Sequence, residues 1–79
     1  MADTMEKVNR GIRILLVSRG MKQTDLMRET GIKPNYFSRR INGHRDWTLS
    51  DLDKIADAFG LGSVARLMSI SLSDQAVAA

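Results

Sequence analysis

Gln23-Thr24-Asp25-Leu26-Met27-Arg28-Glu29-Thr30-Gly31-Ile32-Lys33-Pro34-Asn35-Tyr36-Phe37-Ser38-Arg39-Arg40-Ile41-Asn42-Gly43 is the stretch on which the fold turns. Its punctuation predicts two short helices joined by a tight turn. The first runs from about Gln23 to Thr30, with Leu26 and Met27 on its buried side. Gly31 ends it, because a turn between helices meeting near a right angle takes a positive φ that glycine adopts without steric cost. Ile32 then plugs the core. Pro34 suits the first position of the next helix, where its missing N–H is no loss. Phe37 and Ile41, four apart, share the inward face and leave Asn35, Ser38, Arg39 and Asn42 outward. Gly43 closes the unit, which spans roughly Lys22 to Asn42.

The flanks read as helices too. Asp3 is placed to cap a first helix, with Glu6 at the third helical position completing a capping-box pattern. Val8, Ile12, Leu15 and Leu16 form one apolar stripe, and Gly20 stops it. Ile14 and Val17 lie off that stripe, partly exposed or available to a partner. Thr48 and Asp51 make a second capping box ahead of Leu49, Leu52, Ile55, Ala56 and Phe59, a stripe closed by Gly60. Ser63 caps a last short helix carrying Val64, Leu67 and Met68. Periodicity is lost from Ser69, so residues 1–70 are read as the folded domain and 71–79 as a flexible tail. No segment alternates with period two and no internal repeat is visible. The expectation is an all-α, compact five-helix domain.

Composition narrows the class. Seventy-nine residues support one core and no second globular unit. There is no Cys, so neither a disulfide nor a thiolate metal site is available. No apolar run approaches a membrane span, and the first residues lack the pattern of a secretory signal, so a cytoplasmic protein is expected. Charge is unevenly placed. Residues 1–45 carry ten Lys or Arg against four Asp or Glu, whereas residues 46–79 carry two against five. Between Ile32 and Arg45 there is no acidic residue. Such an asymmetry suits a polyanion, although a solvated basic face is the ordinary alternative. A thin helix with Asn35, Ser38 and Arg39 outward also fits the DNA major groove, roughly 12 Å wide.

Met21 to Leu26, Thr30-Gly31-Ile32, and Asn35 to Gly43 together resemble the phage lambda repressor and Cro (XRE) family of helix-turn-helix proteins. The likeness continues through Thr48 to Leu61 and covers about Val8 to Met68. The run Ser38 to Gly43 followed by Trp47-Thr48-Leu49 is similar to actinobacterial and actinophage members in particular. The resemblance implies a lambda-repressor-like fold, double-stranded DNA as partner and transcription regulation, most simply as a phage or prophage repressor. It implies base contacts from Lys33, Pro34, Asn35 and Arg39, and phosphate contacts from Gln23 and Asn42. Charge and placement add Lys22, Ser38, Arg40, His44 and Arg45 as phosphate partners. Tyr36 reads either as a further sugar-phosphate contact or as a half-buried spacer. Relatives bind as dimers, and the last helix, with Val64, Leu67, Met68 and Ile70, is the best candidate for a dimer surface; a monomer, or the DNA-binding part of a longer repressor, are the alternatives.

Three departures from the family pattern stand out. Lys22 and Lys33 occupy positions usually held by capping Ser or Thr, and lysine accepts no hydrogen bond. Pro34 stands where relatives place a base-reading Gln, leaving it only apolar contact, for example with a thymine methyl. Arg40 sits where many relatives keep an apolar core residue, which implies a small roll of the recognition helix. Trp47 is read as a cover over the core edge, with backbone or partner contact as the alternative. His44 has no metal-ligand spacing around it and no Ser lies in a nucleophile motif, so neither enzyme chemistry nor a cofactor, metal or small-molecule substrate is expected. The rival reading is an antitoxin-type interaction module that also binds its own operator. The terminal Asp74-Gln75-Ala76-Val77-Ala78-Ala79 reads either as an incidental disordered tail or, from its small apolar end, as a stretch that resembles a bacterial degradation tag.

Overall fold

The computed structural model describes residues 3–72, and these form five helices with no strand among them. They are α1 (Thr4–Ser18), α2 (Gln23–Thr30), α3 (Pro34–Ile41), α4 (Leu49–Ala58) and α5 (Val64–Leu72). The suggested degradation tag at Asp74–Ala79, and the expected tail beyond Leu72, lie outside the described residues. Three of the starts, those of α1, α4 and α5, have a side-chain cap. The Asp3 carboxylate accepts the Glu6 N–H at 2.8 Å. Thr48 and Asp51 close both halves of their capping box, at 3.1 Å each. Ser63 Oγ accepts the Arg66 N–H at 3.3 Å.

One core joins all five helices. Val8, Ile12, Leu15 and Leu16 of α1 meet Leu26, Ile32, Phe37, Ile41 and Trp47, then Leu52, Ile55, Ala56 and Phe59 of α4, and Leu67 of α5. Phe37 and Trp47 pack edge to face with ring centroids 5.4 Å apart, a geometry the aromatic quadrupole favours. Trp47 is therefore a core cover. Ile14 and Val17 stay on the surface, Val17 being 82% exposed.

Two sequence expectations need correction. Leu49 belongs to the α4 stripe by spacing yet is 75% exposed, whereas Trp47, two residues earlier, is buried at that end of the core. The last helix does not fade at Ser69 but runs to Leu72. Ser71 is fully buried there, facing Gly11 of α1, where an added Cβ would lie 2.9 Å from Ser71 Cβ and 3.0 Å from its Cα. Absence of a side chain at Gly11 is what lets α5 lie that close to α1. The apolar side of α5 is in part used within the domain. Leu67 is fully buried, and Val64, Met68 and Ile70 pack against the core. Of that helix, Leu72 remains as the exposed large apolar side chain.

Candidate nucleic-acid interface

The turn comes first, because it aims everything after it. Gly31 takes φ 75°, α2 stops, and the chain drops Ile32 into the core before Lys33 and Pro34 start α3. The Thr30 hydroxyl donates to the Leu26 carbonyl at 2.8 Å and accepts the Ile32 N–H at 3.3 Å, stitching the end of α2 to the turn. With Phe37 and Ile41 buried, successive residues step round α3 by about 100° each. Asn35, Ser38, Arg39 and Asn42 then fall in one arc opposite Phe37, and all four are exposed. Lys33 and Pro34 are exposed at the entry to the same face. Gly43 (φ 83°) ends α3 with a Schellman pair, His44 N–H to Arg39 carbonyl at 2.8 Å and Gly43 N–H to Arg40 carbonyl at 3.1 Å. His44 and Arg45 leave the helix exposed.

Tyr36 and Arg40 occupy a different side, turned toward α4. The Tyr36 hydroxyl donates to Asp51 Oδ2 at 2.6 Å, and Arg40 Nε lies 3.8 Å from the same oxygen. The Arg40 guanidinium carbon sits 3.4 Å from the centre of the Tyr36 ring, a stacked cation–π contact. Burial alone raises the Asp51 carboxyl, but hydrogen bonds from Tyr36 and Thr48 and the charge of Arg40 outweigh it and hold the group below its usual value. The hydrogen bond to Asp51 in turn pushes the Tyr36 hydroxyl up. Asp51 thus serves two helices at once. It closes the start of α4 and holds the flank of α3.

The far end of α3 is held by α1. Asn9, 7% exposed, donates through Nδ2 to the Arg40 carbonyl at 2.9 Å and accepts the Trp47 indole N–H at 2.6 Å. Arg13 donates to the Ile41 carbonyl at 2.9 Å and to Asn42 Oδ1 at 3.3 Å. Cationic donors at the last carbonyls of a helix also oppose its dipole favourably. Neither residue was singled out from the sequence. The available signal was Asn9 itself, a polar residue beside Val8 inside an otherwise apolar face.

Lys22 and Lys33 are exposed at the starts of α2 and α3, and neither side chain caps its helix. Part of the deficit at α2 is met by Asp25, whose Oδ2 accepts the Lys22 N–H at 2.9 Å while Oδ1 pairs with Arg28 at 3.4 Å. Gln23 is exposed at the first position of α2 and makes no hydrogen bond to α3 among the described residues. The outer arc of α3, the basic residues at its two ends and the first residues of α2 are all exposed. Among the described residues no helix is long and apolar enough to cross a membrane.

No curated protein and no solved structure matches the chain. Residues 11–71, from the middle of α1 almost to the end of α5, match the Cro/C1-type HTH DNA-binding domain. With α2 and α3 forming the two helices of that motif, the chain belongs to the Cro/C1-type helix-turn-helix family of DNA-binding domains.

Proposed function

We propose that this domain is a sequence-specific transcription regulator, a phage or prophage repressor of the immunity-repressor or Cro type, which blocks a promoter by occupying its operator. The observation that carries the reading is the exposed arc of Asn35, Ser38, Arg39 and Asn42 opposite buried Phe37. Arg39 is suited to guanine O6 and N7, and Asn35 to adenine N6 and N7. Lys33 adds a charged donor at the helix entry, and Pro34 offers apolar contact to a thymine methyl. Lys22, Gln23, Ser38, Asn42, His44 and Arg45 set register on the phosphates, which position the protein without reading sequence. Tyr36 and Arg40 take a supporting role, because both are engaged with Asp51.

The regulator acts as a homodimer on half-sites about one helical turn apart. Since Leu67 is committed to the core, the exposed Leu72 end of α5 is the part of that helix left for the dimer contact. Selection from random duplex DNA at physiological salt tests the reading. An enriched inverted repeat is expected, and recovery of no preferred sequence overturns it. Sedimentation with and without the selected duplex then reads the stoichiometry.

A further inference from the structure

We infer that Arg13 of α1 orients a chain of hydrogen bonds, Arg13 to Asn42 to Ser38, that ends in donors aimed at a DNA phosphate; this rests on the DNA-binding reading above. The starting point is a direction. A guanidinium has five donors and no acceptor. Arg13 reaches Asn42 at 3.3 Å, so the amide must present Oδ1 to it and carry Nδ2 on its other side. Nδ2 donates to Ser38 Oγ at 3.3 Å. A hydroxyl that accepts keeps its own proton for another partner. Both exposed termini of the chain, the Ser38 O–H and the second Nδ2 hydrogen, are then donors.

That polarity is a recognition property. A phosphate oxygen only accepts, so a surface that shows it donors alone fits it without reorganisation. An Asn amide with nothing to fix it has two nearly equivalent orientations, one of which turns an acceptor outward. Arg13 removes that second orientation. It is itself anchored by the Ile41 carbonyl at 2.9 Å, so its position is set by the end of α3 rather than by the ligand. Arg13 is thus a positioning residue, outside the two helices of the motif, that acts on the phosphate through Asn42 and Ser38.

The test uses the full chain and a mixed-sequence duplex, which reads phosphate contacts without base readout. Binding is measured for wild type, Arg13→Met, Arg13→Lys, Ser38→Ala and the Arg13→Met/Ser38→Ala double variant, with thermal melting on each. Arg13→Met is expected to weaken binding roughly tenfold and Ser38→Ala roughly fivefold, the range of lost hydrogen bonds to a charged partner. The double variant should lose no more than the worse single one, because the two act on one chain. Arg13→Lys, which keeps charge and donors, should recover most of the affinity. A purely structural role through the Ile41 carbonyl would move the melting temperature without coupling Arg13 to Ser38. Losses that multiply, or unaltered binding by Arg13→Met, overturn the relay while leaving DNA binding intact. If the wild type fails to bind the duplex even at low salt, the DNA-binding reading falls and the relay with it.

Discussion

Replacing Asn9 by Ala is the sharpest probe of how the recognition helix is held. The side chain makes two bonds in a buried setting, accepting from Trp47 Nε1 at 2.6 Å and donating to the Arg40 carbonyl at 2.9 Å. Loss of the first leaves a buried indole N–H with no partner, which costs about 1–3 kcal/mol. Loss of the second costs less, because the Arg40 carbonyl still accepts the Gly43 N–H at 3.1 Å. The small void adds to this, so about 3 kcal/mol is expected in all. A domain of this size has roughly 4–12 kcal/mol of stability in total. The melting temperature should therefore fall by about 12–24 °C. Urea unfolding followed by helical circular dichroism measures the loss, and Trp47, the single tryptophan, gives a second probe by fluorescence. Trp47→Phe supplies the other corner of a cycle. On that background the donor is already gone, so Asn9→Ala should cost about 1–2 kcal/mol less than in the wild type. A loss under about 1 kcal/mol, or a cycle with no coupling, would refute the reasoning.

Other outcomes follow from the same geometry. Arg39→Ala should cost roughly 1–3 kcal/mol on a selected operator and much less on mixed-sequence DNA, measured by competition binding. Lys22→Ala should weaken every duplex alike and lower the slope of log affinity against log salt by about 1. For acid stability, the Asp51 carboxyl is held below its unfolded value of about 3.9, so its contribution is complete above that pH and is lost as pH falls through the folded value. The urea midpoint should show this loss below about pH 4, and Asp51→Asn should remove that component. Gly11→Ala should destabilise by about 1–3 kcal/mol, since the added methyl meets the backbone as well as the side chain of Ser71; an unchanged melting temperature would show that α5 can move away freely.

Helix starts, helix ends and the inward face of α3 were legible because each is a local matter. A capping pair such as Thr48 and Asp51, a glycine after a stripe, or Phe37 and Ile41 four apart announces itself within one turn of chain. Spacing misplaces Leu49 for a related reason. Spacing says which residues share a face, but not which of two candidates, Leu49 or Trp47, fills the space at the end of it. Asn9 and Arg13, and the second role of Asp51 on the flank of α3, are not legible because their partners lie far along the chain. Asn9 meets Trp47 38 positions away, Arg13 meets Asn42 29 positions away, and Asp51 meets Tyr36 15 positions back. Nothing in periodicity or charge connects such pairs. The unusual Arg40 did carry a hint, since a cation at an expected core position calls for compensation by an anion or an aromatic face nearby. Asp51 and Tyr36 supply them.

The two lysines at the helix starts acquire a reason once these long-range bonds are counted. A side-chain cap on an exposed helix is worth about 1 kcal/mol, and α2 and α3 each forgo one. Helices of eight residues cannot persist on propensity alone, so the deficit must be met from outside. For α2, Asp25 returns one bond to the Lys22 N–H. For α3, support comes at the opposite end and along the flank, through Asn9 and Arg13 on its last carbonyls and Asp51 on Tyr36. Holding α3 by its C-terminal end and its α4 side leaves its N-terminal turn free of side-chain caps. Lys33 and Lys22 can then stand there, without an ion pair among the described residues, beside the first N–H groups of their helices, an arrangement that favours an approaching anion. Restoring Ser at position 22 or 33 should accordingly raise the melting temperature while lowering affinity for mixed-sequence duplex at low salt. A variant that gained in both would show that the lysines are not there for the DNA.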